Sequence, residues 1–72
     1  MTQHQRRIQL VQVACLMRRD REPLADFEIG LIEEVCARVK ADPDAIQAVT
    51  AAEWRVIEDA IAALRMAGEQ AA

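Results

Sequence analysis

The chain has 72 residues, of which 53% are hydrophobic, 29% charged and 3% aromatic, and its net charge is −3 at pH 7. A chain of this size forms one domain and hides only about 60% of the surface that its unfolded form exposes, so a single copy is expected to be marginally stable. The composition excludes a disordered chain, and two aromatic residues are too few to bind single-stranded nucleic acid by base stacking. We expect a small helix-rich protein that a partner completes.

Charge is distributed unevenly along the chain. Residues 1–21 carry five arginines against Asp20, a net of +4, whereas residues 22–72 carry eleven acids against four bases, a net of −7. The planar guanidinium of arginine suits pairing with carboxylates, so the basic end is predicted to contact an acidic surface on a protein partner. Pairing within the chain or solvation by water is the alternative for each arginine. The residues assigned to partner contacts are Arg6, Arg7, Arg18, Arg19 and Arg21.

Helix 1 is predicted from Gln3 or Gln5 to Arg19. Its middle is apolar on nearly every side, and only Gln9 and Gln12 are expected to face water. A helix of this kind is normally buried, so we expect helix 1 at the centre of the fold and of a two-fold homodimer. The residues assigned to the core and the dimer interface are Ile8, Leu10, Val11, Cys15, Leu16 and Met17.

Helix 2 is predicted over residues 25–40, after a break at Pro23, because the residue before a proline is pushed out of helical geometry. Glu34 and Arg38 are spaced to form an ion pair within the helix. Gly30 predicts either a close helix crossing or a neutral surface position. The stripe expected to face the core consists of Phe27, Ile29, Leu31, Ile32, Val35, Cys36 and Val39.

Two helix-start signals follow. Asp42 as N-cap with Pro43 in the first helical position predicts a short helical turn. Thr50 and Glu53 form a capping box before helix 3, which is predicted over residues 51 to 66 or 67 and is expected to end at Gly68. The stripe expected to face the core is Trp54, Val56, Ile57, Ala60, Ile61 and Leu64.

These elements predict an all-α fold, a small bundle of three main helices plus a short helical turn, completed by homodimerisation. The single domain spans residues 1–72, with frayed ends at 1–5 and 68–72. No run approaches the roughly 18 to 20 apolar residues of a membrane span, and the basic pair at 18–19 argues against a secretion signal. Because Cys15 and Cys36 are expected to be reduced and structural, we predict a cytoplasmic protein that does not contact a membrane.

No catalytic or metal-binding pattern is predicted. Asp42, Asp44 and Glu53 match positions 1, 3 and 12 of an EF-hand calcium loop, but Ile46 and Gln47 replace one ligand and the turn glycine. One histidine and two cysteines on separate helix faces do not make a transition-metal site, and no nucleophile has a base in reach. We therefore expect no cofactor, no metal and no enzymatic activity.

The segment T-A-A-E-W-R-V-I-E-D-A-I, which starts at Thr50, resembles the opening helix of winged-helix repressors. The resemblance implies DNA binding, but Glu58 and Asp59 would repel phosphate, so any nucleic acid is expected at the arginines of helix 1. A small dimeric DNA-binding transcriptional regulator is therefore the alternative function. The predicted function is a small non-enzymatic regulator or adaptor that binds and inhibits or modulates a target protein, of the kind carried by phages or mobile elements.

Overall fold

The computed structural model describes residues 2–71, the last two by their backbone alone, and this part of the chain is helical without strands. Helix α1 spans Gln3–Arg19, α2 spans Asp26–Ala41, a 3-10 helix spans Pro43–Ala48 and α3 spans Ala51–Ala71. The predicted all-α class, with three main helices and one short helical turn, is confirmed.

The three long helices form an up-down-up bundle. Arg6, near the start of α1, contacts Glu58 near the start of α3, while Leu16 and Leu64 line a common groove at the other end. Helices α1 and α3 therefore run parallel. Helix α2 runs antiparallel to both, since its last turn and Pro43 lie beside the first turns of α1.

Local hydrogen bonds fix the helix starts. In the predicted capping box of α3, the Glu53 amide donates to Thr50 Oγ1 at 3.1 Å and the Thr50 amide donates to Glu53 Oε1 at 3.0 Å. A second box, which the sequence analysis missed, starts α1: the amide of Gln5 donates to Thr2 Oγ1 at 3.2 Å, and the amide of Thr2 donates to Gln5 Oε1 at 2.9 Å. The fraying of residues 1–5 stays a prediction.

The 3-10 helix is held by its cap and by one apolar side chain. The side chain of Asp42 accepts a hydrogen bond from the Asp44 amide at 3.1 Å, and Pro43 occupies the first turn, as predicted. Ile46 is buried in the core. A short segment without an amphipathic face of its own is thereby fixed to the bundle.

The predicted end of α3 at Gly68 is wrong. The helix continues to Ala71, and Gly68 does not adopt the positive φ with which a glycine usually terminates a helix. A glycine within a helix costs only about 1 kcal/mol relative to alanine. The neighbouring alanines are among the best helix formers, and their helix propensity offsets this cost.

Helix α1 packs against α2, the 3-10 helix and α3, as expected of a central helix, while its place at the centre of a homodimer stays a prediction. Among the twelve buried core residues of the described chain, five belong to α3 and three belong to α1. The predicted stripe of α3 is confirmed except for Val56, which is half-buried. The core consists of Leu10, Val13, Met17, Leu24, Ile32, Val35, Ile46, Trp54, Ile57, Ala60, Ile61 and Leu64.

Helix α2 buries a narrower stripe than predicted. Ile32 and Val35 are buried, but Phe27 is 68% exposed. Residues four apart drift by about 40° around a helix, so the stripe from Phe27 to Val39 turns through about 120°. Burial of its middle and end therefore leaves Phe27 in solvent.

Two further expectations for α2 concerned the environment of Gly30 and the ion pair of Arg38. Nothing lies within 4 Å of a Cβ built on Gly30, so the glycine is a surface position rather than a close helix crossing. Arg38 pairs with Glu53 of α3, with a distance of 2.9 Å between Nη2 and Oε2, instead of with Glu34. The pair links two helices rather than two turns of one helix.

Candidate protein-binding face

Helix α1 was predicted to be buried on nearly every side, but only the side of Leu10, Val13 and Met17 is buried. Gln9 and Gln12, expected to face water, are half-buried, and Gln9 accepts a hydrogen bond from Arg6 at 3.2 Å. Ile8 and Val11, which were expected to be buried, are 52% and 64% exposed. The bundle thus places glutamines at a helix contact and leaves large apolar side chains in solvent.

The exposed apolar side chains form a continuous row, the outer stripe, which consists of Ile8, Val11 and Cys15. All three are exposed. They are three and four residues apart, which is the spacing with which one helix packs its side chains against another. The outer stripe therefore has the spacing of a helix-packing seam, and no helix of residues 2–71 covers it.

Beside the outer stripe lies a groove between α1 and α2, here called the α1–α2 groove. It has a volume of about 470 Å³. Arg7 and Lys40 stand at its edges, one on each helix, and the remaining lining is apolar: Leu10, Val11, Ala14, Cys36, Val39 and Pro43. Val11 belongs to both features, so the outer stripe and the groove form one surface.

The remaining members of the predicted interface lie deeper. Leu10 and Met17 are buried at 6% and 4% exposure, and Leu16 is half-buried against the core. These three belong to the inner side of α1. A role at a dimer interface stays a prediction for Ile8, Val11 and Cys15.

Two of the five arginines predicted to contact a partner are held within the chain. The guanidinium of Arg6 donates to Glu58 Oε1 at 2.9 Å and lies over the ring of Trp54. Arg21 donates to Glu33 Oε1 at 3.0 Å. Arg6 and Arg21 therefore pair within the chain, which was the alternative to contact with a partner.

Arg7, Arg18 and Arg19 remain open to a partner. All three are exposed, and none lies within 4.0 Å of a carboxylate in the described part of the chain. Helix α1 itself contains no acidic residue. Arg7 lies at one end of the outer stripe and the pair at 18–19 at the other, so the surface is apolar along its length and positive at both ends.

The two cysteines lie on this surface and are both free. Cys15 is exposed and Cys36 is half-buried in the α1–α2 groove. Partial burial raises the pKa of the Cys36 thiol, and the nearby Glu33 carboxylate raises it further. The thiol is therefore protonated at neutral pH, and it acts as a small apolar lining residue rather than as a nucleophile.

A second groove, of about 830 Å³, lies between the last turns of α1 and α3. Its charged lining residues are of both signs, with Arg19 and Arg65 beside Asp20 and Glu69. This groove therefore carries charges of both signs, whereas the two charged residues of the α1–α2 groove are both positive.

Lys40, Cys36, Val39 and Pro43 were not identified as site residues from the sequence. Their contribution depends on the antiparallel packing of α2 against α1, which places the end of one helix beside the start of the other. In the sequence, Lys40 is an ordinary basic residue in the last turn of a helix. No local pattern marks it as the edge of a groove.

In residues 2–71, no helix has both the length and the apolar character needed to cross a bilayer. Comparisons of the chain with protein families, with curated protein sequences and with solved structures found no match.

Proposed function

We propose that this chain is a small non-enzymatic regulator or adaptor that binds a target protein through the outer face of α1 and thereby inhibits or modulates it. The observation that carries this proposal is the orientation of α1. Half-buried Gln9 and Gln12 occupy positions in the bundle that apolar residues could fill, while Ile8 and Val11 are exposed. Such a surface gains free energy only when another molecule covers it.

The size of that gain supports a protein as the partner. Full burial of a valine or isoleucine side chain is worth about 1.5 to 3 kcal/mol, and apolar surface left open promotes aggregation. Arg7, Arg18 and Arg19, which have no carboxylate close by, add positive charge at the ends of the apolar row. The target surface is therefore apolar in its centre and acidic at its edges.

The proposal also covers self-association of the protein, its location in the cell and its origin. In the free protein a second copy covers the outer stripe and forms a homodimer, which the target displaces. The protein works in the cytoplasm, where Cys15 stays reduced. Its small size and acidic composition fit the inhibitors that phages and mobile elements carry.

The proposal is tested by affinity capture with matched variants. Val11→Glu places a charge in the outer stripe, and Met66→Glu makes the same change at a side chain that is 60% exposed on α3. Tagged wild type and both variants are incubated with nuclease-treated lysate of the source cell, and retained proteins are identified by mass spectrometry. We expect wild type and Met66→Glu to retain the same protein and Val11→Glu to lose it; retention by all three contradicts the proposal.

A second function, a small dimeric DNA-binding regulator, is favoured by one observation. Arg7, Arg18 and Arg19 are exposed on one helix that has no acidic residue, and such a helix suits the phosphate backbone. The apolar side chains between them count against it, because they would displace water from the phosphates without donating a hydrogen bond in return. Retardation of duplex DNA that is lost when Arg18 and Arg19 are replaced by alanine supports this function, and no retardation at low salt removes it.

A further inference from the structure

We propose that the partner element bound by this surface is an amphipathic α-helix with acidic residues on both sides of its apolar face at the end that meets Arg7 and Lys40. The proposal rests on the function proposed above and names the kind of segment that the target supplies. The partner helix packs its apolar side chains along the outer stripe and into the α1–α2 groove. Its acidic residues lie over Arg7 and Lys40.

The apolar pattern favours a helix as the docking element. Ile8, Val11 and Cys15 follow the alternating three- and four-residue spacing of a helix-packing seam, and Arg18 continues it three residues further on. From Arg7 to Arg19 this face is about 18 Å long, at 1.5 Å per residue. An approaching helix of four to five turns covers it. A groove beside a seam holds the side chains that project from the next turn of such a helix.

The charges define the flanks of the partner helix. Arg7 and Lys40 stand on opposite sides of the groove, and neither has a carboxylate within 4.0 Å in residues 2–71. Glu33, the acid whose charge reaches Cys36, is already paired with Arg21 at 3.0 Å. Acidic side chains on both flanks of the incoming helix therefore find unpaired cations on both edges.

A second copy of the chain fits the same surface less well. Helix α1 contains no acid and its exposed arginines are Arg7, Arg18 and Arg19, so two copies packed through their outer stripes bring like charges together. Repulsion between these positive charges opposes self-association through this face, whereas the same charges attract an acidic helix. The acidic helix therefore displaces the second copy.

The test uses two synthetic peptides of about 18 residues, or five turns, with the same leucine seam. One peptide has glutamate at every flanking position and the other has lysine. Binding of each fluorescently labelled peptide to the full chain is measured by anisotropy at low salt and at 0.5 M salt. We expect the glutamate peptide to bind at least about tenfold more tightly at low salt, and this preference to shrink at high salt.

Charge-reversed variants show which residues cause the preference for the glutamate peptide. Arg7→Glu combined with Lys40→Glu is expected to reverse it, so that the lysine peptide binds more tightly. Arg55→Glu, at an exposed position of α3, makes a charge change of the same kind away from the groove and is expected to leave it intact. Val11→Glu is expected to weaken both peptides. Circular dichroism confirms that each variant is folded.

Three results overturn the proposal: equal affinity for the two peptides, a preference that the Arg7 and Lys40 reversal leaves unchanged, or a homodimer that persists at saturating glutamate peptide. Its failure is distinguishable from failure of the proposed function. If capture of the target still depends on Val11 while the peptides are not discriminated, the face binds a target that is not an acidic helix. If capture does not depend on Val11, the proposed function itself is wrong.

Discussion

The guanidinium carbon of Arg6 lies 4.4 Å from the centroid of the Trp54 ring, and the same group donates a hydrogen bond to Glu58 at 2.9 Å. Arg6 thereby covers the only tryptophan of the chain and joins α1 to α3. Its neighbour Arg7, one residue further, faces the α1–α2 groove. Of two consecutive arginines, one therefore stabilises the contact between α1 and α3, and the other lines a surface groove.

The first prediction separates these two roles. Arg6→Ala is expected to lower the free energy of unfolding by about 1 kcal/mol, because it removes a cation–π contact and a partly buried ion pair. Arg7→Ala is expected to change it by less than about 0.5 kcal/mol. Urea denaturation followed by circular dichroism measures both values. Equal effects of the two substitutions would show that the position of Arg6 over Trp54 contributes nothing to stability.

The second prediction concerns the two sides of α1. At a concentration too low for the homodimer to form, Val11→Glu is expected to change stability by no more than about 0.5 kcal/mol, because the side chain is 64% exposed in the single chain. Val13→Glu is expected to unfold the protein, because Val13 is completely buried and an unpaired charge there has no solvation. Thermal melts of both variants decide the matter. Unfolding of the Val11 variant would mean that the chain is stable only with this face covered.

The third prediction concerns the pH dependence contributed by Glu53. The hydrogen bond from the Thr50 amide, together with the hydrogen bond from Arg38, lowers the pKa of this carboxyl below its ordinary value. A lowered pKa means that the folded state favours the charged form, so the contribution is fully present above the ordinary glutamate pKa of about 4.3 and is lost as the pH falls through the folded value.

Glu53→Gln keeps an oxygen for the cap but cannot ionise. We therefore expect it to be less stable than wild type at pH 7 and to approach wild type at the acidic end of the transition. Denaturant titrations from pH 7 to pH 2.5 measure the difference. A constant gap between the two proteins across this range contradicts the assignment. Thr50→Ala, which removes the hydroxyl of the cap at a cost of about 1 kcal/mol, is expected to keep most of this pH dependence, because the Thr50 amide and Arg38 still bind the carboxylate.

The fourth prediction concerns self-association. Sedimentation equilibrium at micromolar concentration is expected to return twice the monomer mass of 8.1 kDa. Because two copies of α1 meet with like charges, added salt is expected to strengthen this dimer as the screening length falls from about 30 Å at 0.01 M to about 8 Å at 0.15 M. Binding of the acidic helix is expected to weaken over the same range. A monomer at every salt concentration removes the dimer from the proposal.

The fifth prediction concerns Gly30. Gly30→Ala is expected to raise the free energy of unfolding by about 1 kcal/mol, since the glycine lies inside α2, its φ is negative and nothing is close to the added methyl group. Thermal melts give the sign. Destabilisation would mean that this side of α2 is packed against another chain, and the same experiment on Gly68→Ala controls for general helix propensity.

Local sequence signals predicted the elements of the fold well. The capping box at Thr50 and Glu53, and the cap and proline at residues 42–43, depend on neighbours along the chain, so their structures follow directly from the sequence. The all-α class follows from the periodicity of α2 and α3. The end of α3 was predicted wrongly because the sequence does not show whether Gly68 lies within the helix or terminates it. Only the backbone dihedral angle φ distinguishes the two cases.

The orientation of α1 could not be predicted from the same rules. Hydrophobicity alone directs Ile8 and Val11 inward and Gln9 outward, whereas in the structure Ile8 and Val11 are exposed and Gln9 is half-buried. The decisive contacts join residues about fifty positions apart, such as Arg6 with Glu58 and Trp54, and no local window contains both partners. The groove beside the outer stripe was missed for the same reason, because Lys40 approaches Arg7 only when α2 is folded back on α1.

The division of α1 into an inner and an outer side has an evolutionary consequence. Leu10, Val13 and Met17 hold the bundle together, so substitutions there are constrained by folding. Ile8, Val11 and Cys15 are exposed and lie outside the buried core, so folding constrains them less. Under the proposed function, substitutions at these three positions change which target is bound while the fold is kept.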